Sequence, residues 1–96
     1  MARVIVQEQT AHNLKSLIKS AVENQLRIIT FGVAKTRRKL KEMENESGMN
    51  SKEFYSQFKE GKLGDEIRYI RWAGEYETLK RLNQDLCDLQ ELELCS

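Results

Sequence analysis

Residues able to do chemistry are few and scattered in this 96-residue chain. There is one histidine, His12. A histidine acting as general base or metal ligand needs companions, and none stands near it in the sequence, so His12 reads as an exposed residue. The two cysteines, Cys87 and Cys95, form no C-x-x-C pair and lie near one chain end. Two thiols so placed cannot frame a small secreted fold, and they are expected as free thiols in a reducing cytoplasm. Carboxylates gather at Glu42, Glu44 and Glu46 and again at Asp85, Asp88, Glu91 and Glu93. Acid–base or metal chemistry would need them focused in a pocket; their spacing instead suits solvated helix faces. The segment E-G-K-L-G-D around Lys62 has no strand before it and lacks the Walker spacing, so its glycines read as turn residues. The chain is therefore expected to be non-enzymatic, with no catalytic residue, cofactor or metal.

Two denser groups remain. The basic run Lys35, Arg37, Arg38, Lys39 and Lys41 could contact phosphates. Acidic residues follow it at once, and Glu42 and Glu44 stand at helical spacing to pair back, so a solvated or salt-bridged face is expected and nucleic-acid binding is the weaker reading. An acidic partner is the third possibility for this face. The aromatic group Phe54, Tyr55, Phe58, Tyr69, Trp72 and Tyr76 is the densest feature. It is expected to plug the closed end of a hairpin, with an interface patch as the alternative, because Trp, Tyr and Arg carry much interface energy and Arg68 and Arg71 lie among these rings.

These residues must be positioned by helices. The chain has no proline and 32% charged residues, a composition that suits long helices. Sixteen Lys and Arg against fifteen Asp and Glu leave a charge of +1, without the basic excess of a dedicated nucleic-acid binder. Leu14, Ile18, Val22, Leu26, Ile29, Val33, Thr36, Leu40 and Met43 recur at steps of three or four, and Leu17, Ala21 and Ile28 widen the stripe. The pattern predicts a helix over residues 10–47, with Thr10 as N-cap and Gly48 in the left-handed position that ends it. A short helix is predicted over 51–60, capped by Asn50 with Glu53 placed for a capping box, closed by Gly61 and folded back on by Leu63. Asp65 is the expected N-cap of a last helix over 65–94, carrying Ile67, Tyr69, Trp72, Tyr76, Leu79, Leu82, Leu86, Leu89 and Leu92. Residues 1–9 read as flexible or as a short strand at Arg3–Gln7. No apolar run is long enough to span a membrane, the start is too weakly apolar for a signal peptide, and a cytoplasmic location is expected.

The expected fold is a single all-α domain: a long antiparallel helical hairpin with a short helix at its elbow. Placing Glu46 beside Asp65 would set Gly74 opposite Arg37 and Leu79 near Gly32, where small residues allow close approach of the backbones, and Leu94 near Leu17. A first helix of roughly 55 Å does not fit in a compact domain of this length, for which the radius of gyration is about 13 Å. The segment Leu26 to Ala34 is apolar around most of the helix, with Ile28 and Phe31 pointing away from the Ile29–Val33 seam. A helix apolar on several faces is buried on several faces, which one hairpin cannot achieve. Leu14, Leu17, Ile18, Ile28 and Phe31 are therefore expected to form a partner or oligomer interface, as in an oligomeric coiled coil or bundle.

The stretch A-K-T-R-R-K-L-K-E-M-E-N-E-S-G-M-N-S-K-E-F-Y-S-Q-F-K-E-G-K-L-G-D-E-I-R-Y-I-R-W-A-G-E-Y, Ala34 to Tyr76, resembles a group of small archaeal and bacterial proteins. In that group a long helix ends in G-M-S and is followed by E-F, F, G-E-L-G-D and W-A-G-E-Y. Lys62 stands where that pattern has an acidic residue, and Ile67 and Arg68 fall in a segment usually more acidic. The group is similar to antitoxins of type II toxin–antitoxin pairs, encoded beside small RelE-related or similar toxins. The resemblance implies an inhibitor that lays amphipathic helices over a toxin surface, the helix-in-groove mode of recognition. The alternative is a homo-oligomeric coiled-coil adaptor. Expected partners are a second copy of the chain and a cognate toxin.

Overall fold

The computed structural model describes the backbone of residues 8–95 and the side chains of residues 10–92. The expected strand at Arg3–Gln7 lies outside them. Three helices follow in order: α1 at Glu8–Ser47, α2 at Ser51–Lys59 and α3 at Ile67–Cys95. Among the described residues there is no strand. The molecule measures 64 × 25 × 20 Å with a radius of gyration of 20.2 Å, well beyond the ~13 Å of a compact chain of this size. α1 and α3 form an antiparallel hairpin, and α2 packs on α3 at the elbow.

The turns follow from local chemistry. Gly48 takes φ 70° and its N–H donates to the Glu44 carbonyl at 2.8 Å, the bond with which a left-handed residue closes a helix. Asn50 caps α2, its Oδ1 accepting from the Glu53 N–H at 2.8 Å. α2 ends with Gly61 at φ 76°, its N–H donating to the Phe58 carbonyl and that of Lys62 to the Gln57 carbonyl. That pair of bonds is a Schellman motif, and Leu63 folds back against the elbow core.

Two helix starts differ from the sequence reading. α1 already begins at Glu8 and not at Thr10, because Glu8 and Gln9 are good helix formers and nothing stops the helix there. α3 begins at Ile67, and Asp65 does not cap it. The Glu66 carbonyl accepts from the Tyr69 and Ile70 N–H groups, while the Glu66 carboxylate is drawn aside to Arg68 Nε at 2.8 Å.

The register also differs. A Cβ at Gly32 would meet Leu82 Cδ1 at 3.4 Å, so Leu82 and not Leu79 sits at the close approach. Lys39 Nζ meets Glu75 Oε1 at 3.5 Å in the same register. α3 is thus advanced by almost one helical turn, because residues 64–66 stay outside the helix and lengthen the connection. Gly74 is not a crossing point: it is exposed, and a Cβ there would meet nothing within 4 Å.

Candidate interaction surface

Among the described residues the dense core lies at the elbow. Phe54 is 1% exposed and Trp72 3%, with Leu40 and Ala73 buried beside them. Phe54 and Trp72 stack with centroids 3.8 Å apart and planes 5° from parallel. Phe58 and Tyr69 each lie 5.7 Å from Phe54, and Tyr55 lies 4.9 Å from Tyr76. All six predicted aromatic residues are thus brought together, buried or half-buried. The arrangement is a plug; their faces are spent on one another.

Polar bonds pin this plug in ways the sequence did not reveal. Trp72 Nε1 donates to Ser51 Oγ at 2.9 Å inside the core, which supplies the partner that a buried indole requires. The Ser51 N–H donates to Glu44 Oε2 at 2.7 Å, so a carboxylate from α1 satisfies a free N–H at the start of α2. Tyr55 Oη donates to Glu77 Oε1 at 2.7 Å. That bond is the first cause, and burial the second, of a Tyr55 hydroxyl held above its ordinary value. Each of these pairs joins two different helices, so no spacing within one helix signals them.

The basic run forms an exposed face, and among the described residues none of its cations pairs back to Glu42 or Glu44. Among the described residues the ion pairs are Lys39–Glu75, Lys62–Glu60 and Arg68–Glu66, and Glu44 is engaged with Ser51 instead. Arg37 and Lys41 line an open groove of about 580 Å³ floored by Leu40, Tyr76 and Leu79. His12 lies on the exposed leading part of α1 with Thr10, Asn13 and Ser16 around a shallow hollow. Cys87 is a free, exposed thiol; the side chain of Cys95 lies outside the described residues. Among the described residues no three of His, Cys, Asp or Glu converge as a metal site. No described helix is long and apolar enough to cross a membrane.

The five apolar residues predicted as an interface all lie on α1 and are open to solvent. Leu14 is 49% exposed, Leu17 57%, Ile18 59%, Ile28 56% and Phe31 67%. α3 covers the other face, where Val22, Leu26, Ile29, Gly32, Val33, Thr36 and Leu40 are buried or half-buried. Leu14 and Ile18, read from sequence as the start of that covered stripe, lie at or beyond the reach of the α3 end. Ile67 and Ile70, at 68% and 51%, and Leu92, at 51%, are exposed as well. Ile67 and Leu92 fit the inward stripe of α3 by spacing, but the helix turns them outward. Monomeric proteins scatter single apolar residues over their surface; five on one helix make a patch. The chain matches no family model, and no curated protein or solved structure matches it.

Proposed function

We propose that this protein acts by binding another protein, without catalysis of its own, as an antitoxin-like inhibitor of a small toxin. The observation that supports this reading is the open apolar face of α1: Leu14, Leu17, Ile18, Ile28 and Phe31 stay half to two-thirds exposed, while among the described residues five apolar residues are buried. Such a face presents the repeating anchors with which an amphipathic helix enters a partner's groove. The segment that resembles antitoxin-like proteins, Ala34 to Tyr76, coincides with the elbow. Its glycines, cap and aromatics have folding duties there, so binding falls to the part of α1 before it.

Co-expression with the product of the adjacent open reading frame tests the proposal. A stable complex that relieves toxicity is expected, weakened at least tenfold by Leu17→Asp, the cost of burying one uncompensated charge. Failure to form any complex with that product would sink the reading.

A further inference from the structure

The exposed residues of α1 repeat the alternating spacing of the face that α3 covers, on a different side of the helix. Leu14, Leu17, Ala21, Asn24, Ile28 and Phe31 alternate steps of three and four, the spacing of a heptad seam. At 100° per residue this seam lies about 130° around the helix from the one that α3 covers. It runs about 26 Å along α1. Lys35 occupies the next seam position at one end, and Thr10 at the other.

We infer that this seam pairs with the same seam of a second copy, antiparallel, so that two hairpins meet α1 against α1. The inference rests on the reading of this face as the interaction surface and names its occupant in the free protein. Its ground is self-complementarity. With the two-fold axis between Val22 and Glu23, Leu14 faces Phe31 of the second copy, Leu17 faces Ile28, and Ala21 faces Asn24. Every layer then joins a seam position of one kind to one of the other kind, as antiparallel helices require. The largest side chain meets a leucine at each end, and the smallest meets the one polar residue at the centre. Asn24 already accepts from Arg27 Nη2 at 3.2 Å, so its carbonyl has a partner beside the seam. A single polar residue in an apolar seam fixes register at a cost in stability.

Charge selects the antiparallel sense. Side by side in parallel, the seams would set Lys35 against Lys35 and bring the two basic runs, Lys35 to Lys41, alongside each other. Like charges so placed oppose association. Antiparallel pairing carries the runs to opposite ends and sets Lys35 against Thr10. The positions flanking the seam, Ile18, Ser20, Gln25 and Arg27, then place no like charges face to face. Area agrees. Phe31 alone leaves about 130 Å² uncovered, and the whole seam on the order of 500 Å² of apolar strip, near the upper end for a monomer. Two such strips with their flanks remove on the order of 1,000 Å², the threshold of a specific interface. The same side chains cannot serve a second copy and a toxin at once, so self-association and partner capture exclude each other.

Light scattering on the isolated full chain tests the seam. A mass twice the 11.2 kDa of one chain is expected at micromolar concentration. It should fall to one chain in Phe31→Asp and in Ile28→Asp, with Trp72 emission unchanged because the elbow is untouched. Register is read by disulfide trapping in a Cys87→Ser/Cys95→Ser background. Ala21→Cys chains mixed with Asn24→Cys chains should form the mixed disulfide under copper-catalysed air oxidation, because those positions face each other. Neither chain alone should cross-link, because its two thiols lie in different layers. A single-chain mass throughout overturns the pairing, even where the neighbouring gene product binds. A disulfide formed by Ala21→Cys chains alone overturns the antiparallel register. A dimer that survives both aspartate variants places the interface elsewhere. These results are independent of the toxin complex, which is measured on co-expressed protein.

Discussion

Replacing Phe54 with alanine strikes the residue on which the elbow depends most. Among the described residues Phe54 is the one large side chain that is fully buried, at 1% exposure. Its ring stacks on Trp72 at 3.8 Å and lies 5.7 Å from both Phe58 and Tyr69. Deleting a buried Phe side chain costs about 3–5 kcal/mol when the cavity cannot collapse. Collapse is hindered here, because Trp72 is tied to Ser51 by its indole N–H and Ser51 is tied in turn to Glu44. A domain of this length has about 5–15 kcal/mol of stability in all, and five buried apolar residues among those described argue for the lower part of that range. Phe54→Ala should therefore remove most of the stability of the elbow. Urea unfolding followed by the fluorescence of Trp72, the single tryptophan, reports it directly, since the ring lost is the one stacked on the reporter. The midpoint should fall far more than in Leu26→Ala, which truncates a half-buried residue on the open arm of the hairpin. A loss below about 1 kcal/mol, outside the range for a buried aromatic, would refute the view that this ring organises the fold.

Two further outcomes follow from the geometry. Gly74→Ala should stabilise by about 0.5–1 kcal/mol, because glycine in a helix interior costs that much and a Cβ would meet nothing within 4 Å; a loss of melting temperature would contradict the register described. The Tyr55 hydroxyl is held above 10.0 by its bond to Glu77 and then by burial, so the folded state keeps this proton longer than the unfolded chain. Its contribution to stability is fully present below pH 10 and is lost as pH rises through the folded-state value. Glu77→Gln should lower the Tyr55 midpoint in an ultraviolet phenolate titration, and an unmoved midpoint would show that the hydrogen bond is not the cause.

How much of this was legible beforehand depends on the range of the signal. The end of α1, the cap of α2 and the Schellman turn at Gly61 are written in adjacent residues, because each closes within a few backbone bonds. The start of α3 does not follow from residue type, since Asp65 is a good cap by type but stays outside the helix start, and the Glu66 carboxylate goes to Arg68. The register was misplaced by nearly a turn for the same reason, as the length of an irregular connection does not follow from its residue count. The ties Glu44–Ser51, Tyr55–Glu77 and Lys39–Glu75 were invisible, because each partner is an ordinary charged or polar helix residue until the elbow brings it across.

By itself the amino-acid order determined that the chain is helical, where it turns, and that α1 carries more apolar surface than one neighbour can cover. Periodicity and turn chemistry are local properties, and they survive any packing. Only the tertiary structure decided which apolar face is spent. α3 takes the stripe of Val22, Leu26, Ile29, Val33, Thr36 and Leu40, and Leu14, Leu17, Ile18, Ile28 and Phe31 are left open. A stripe records that a residue should be buried, but it does not record by which helix.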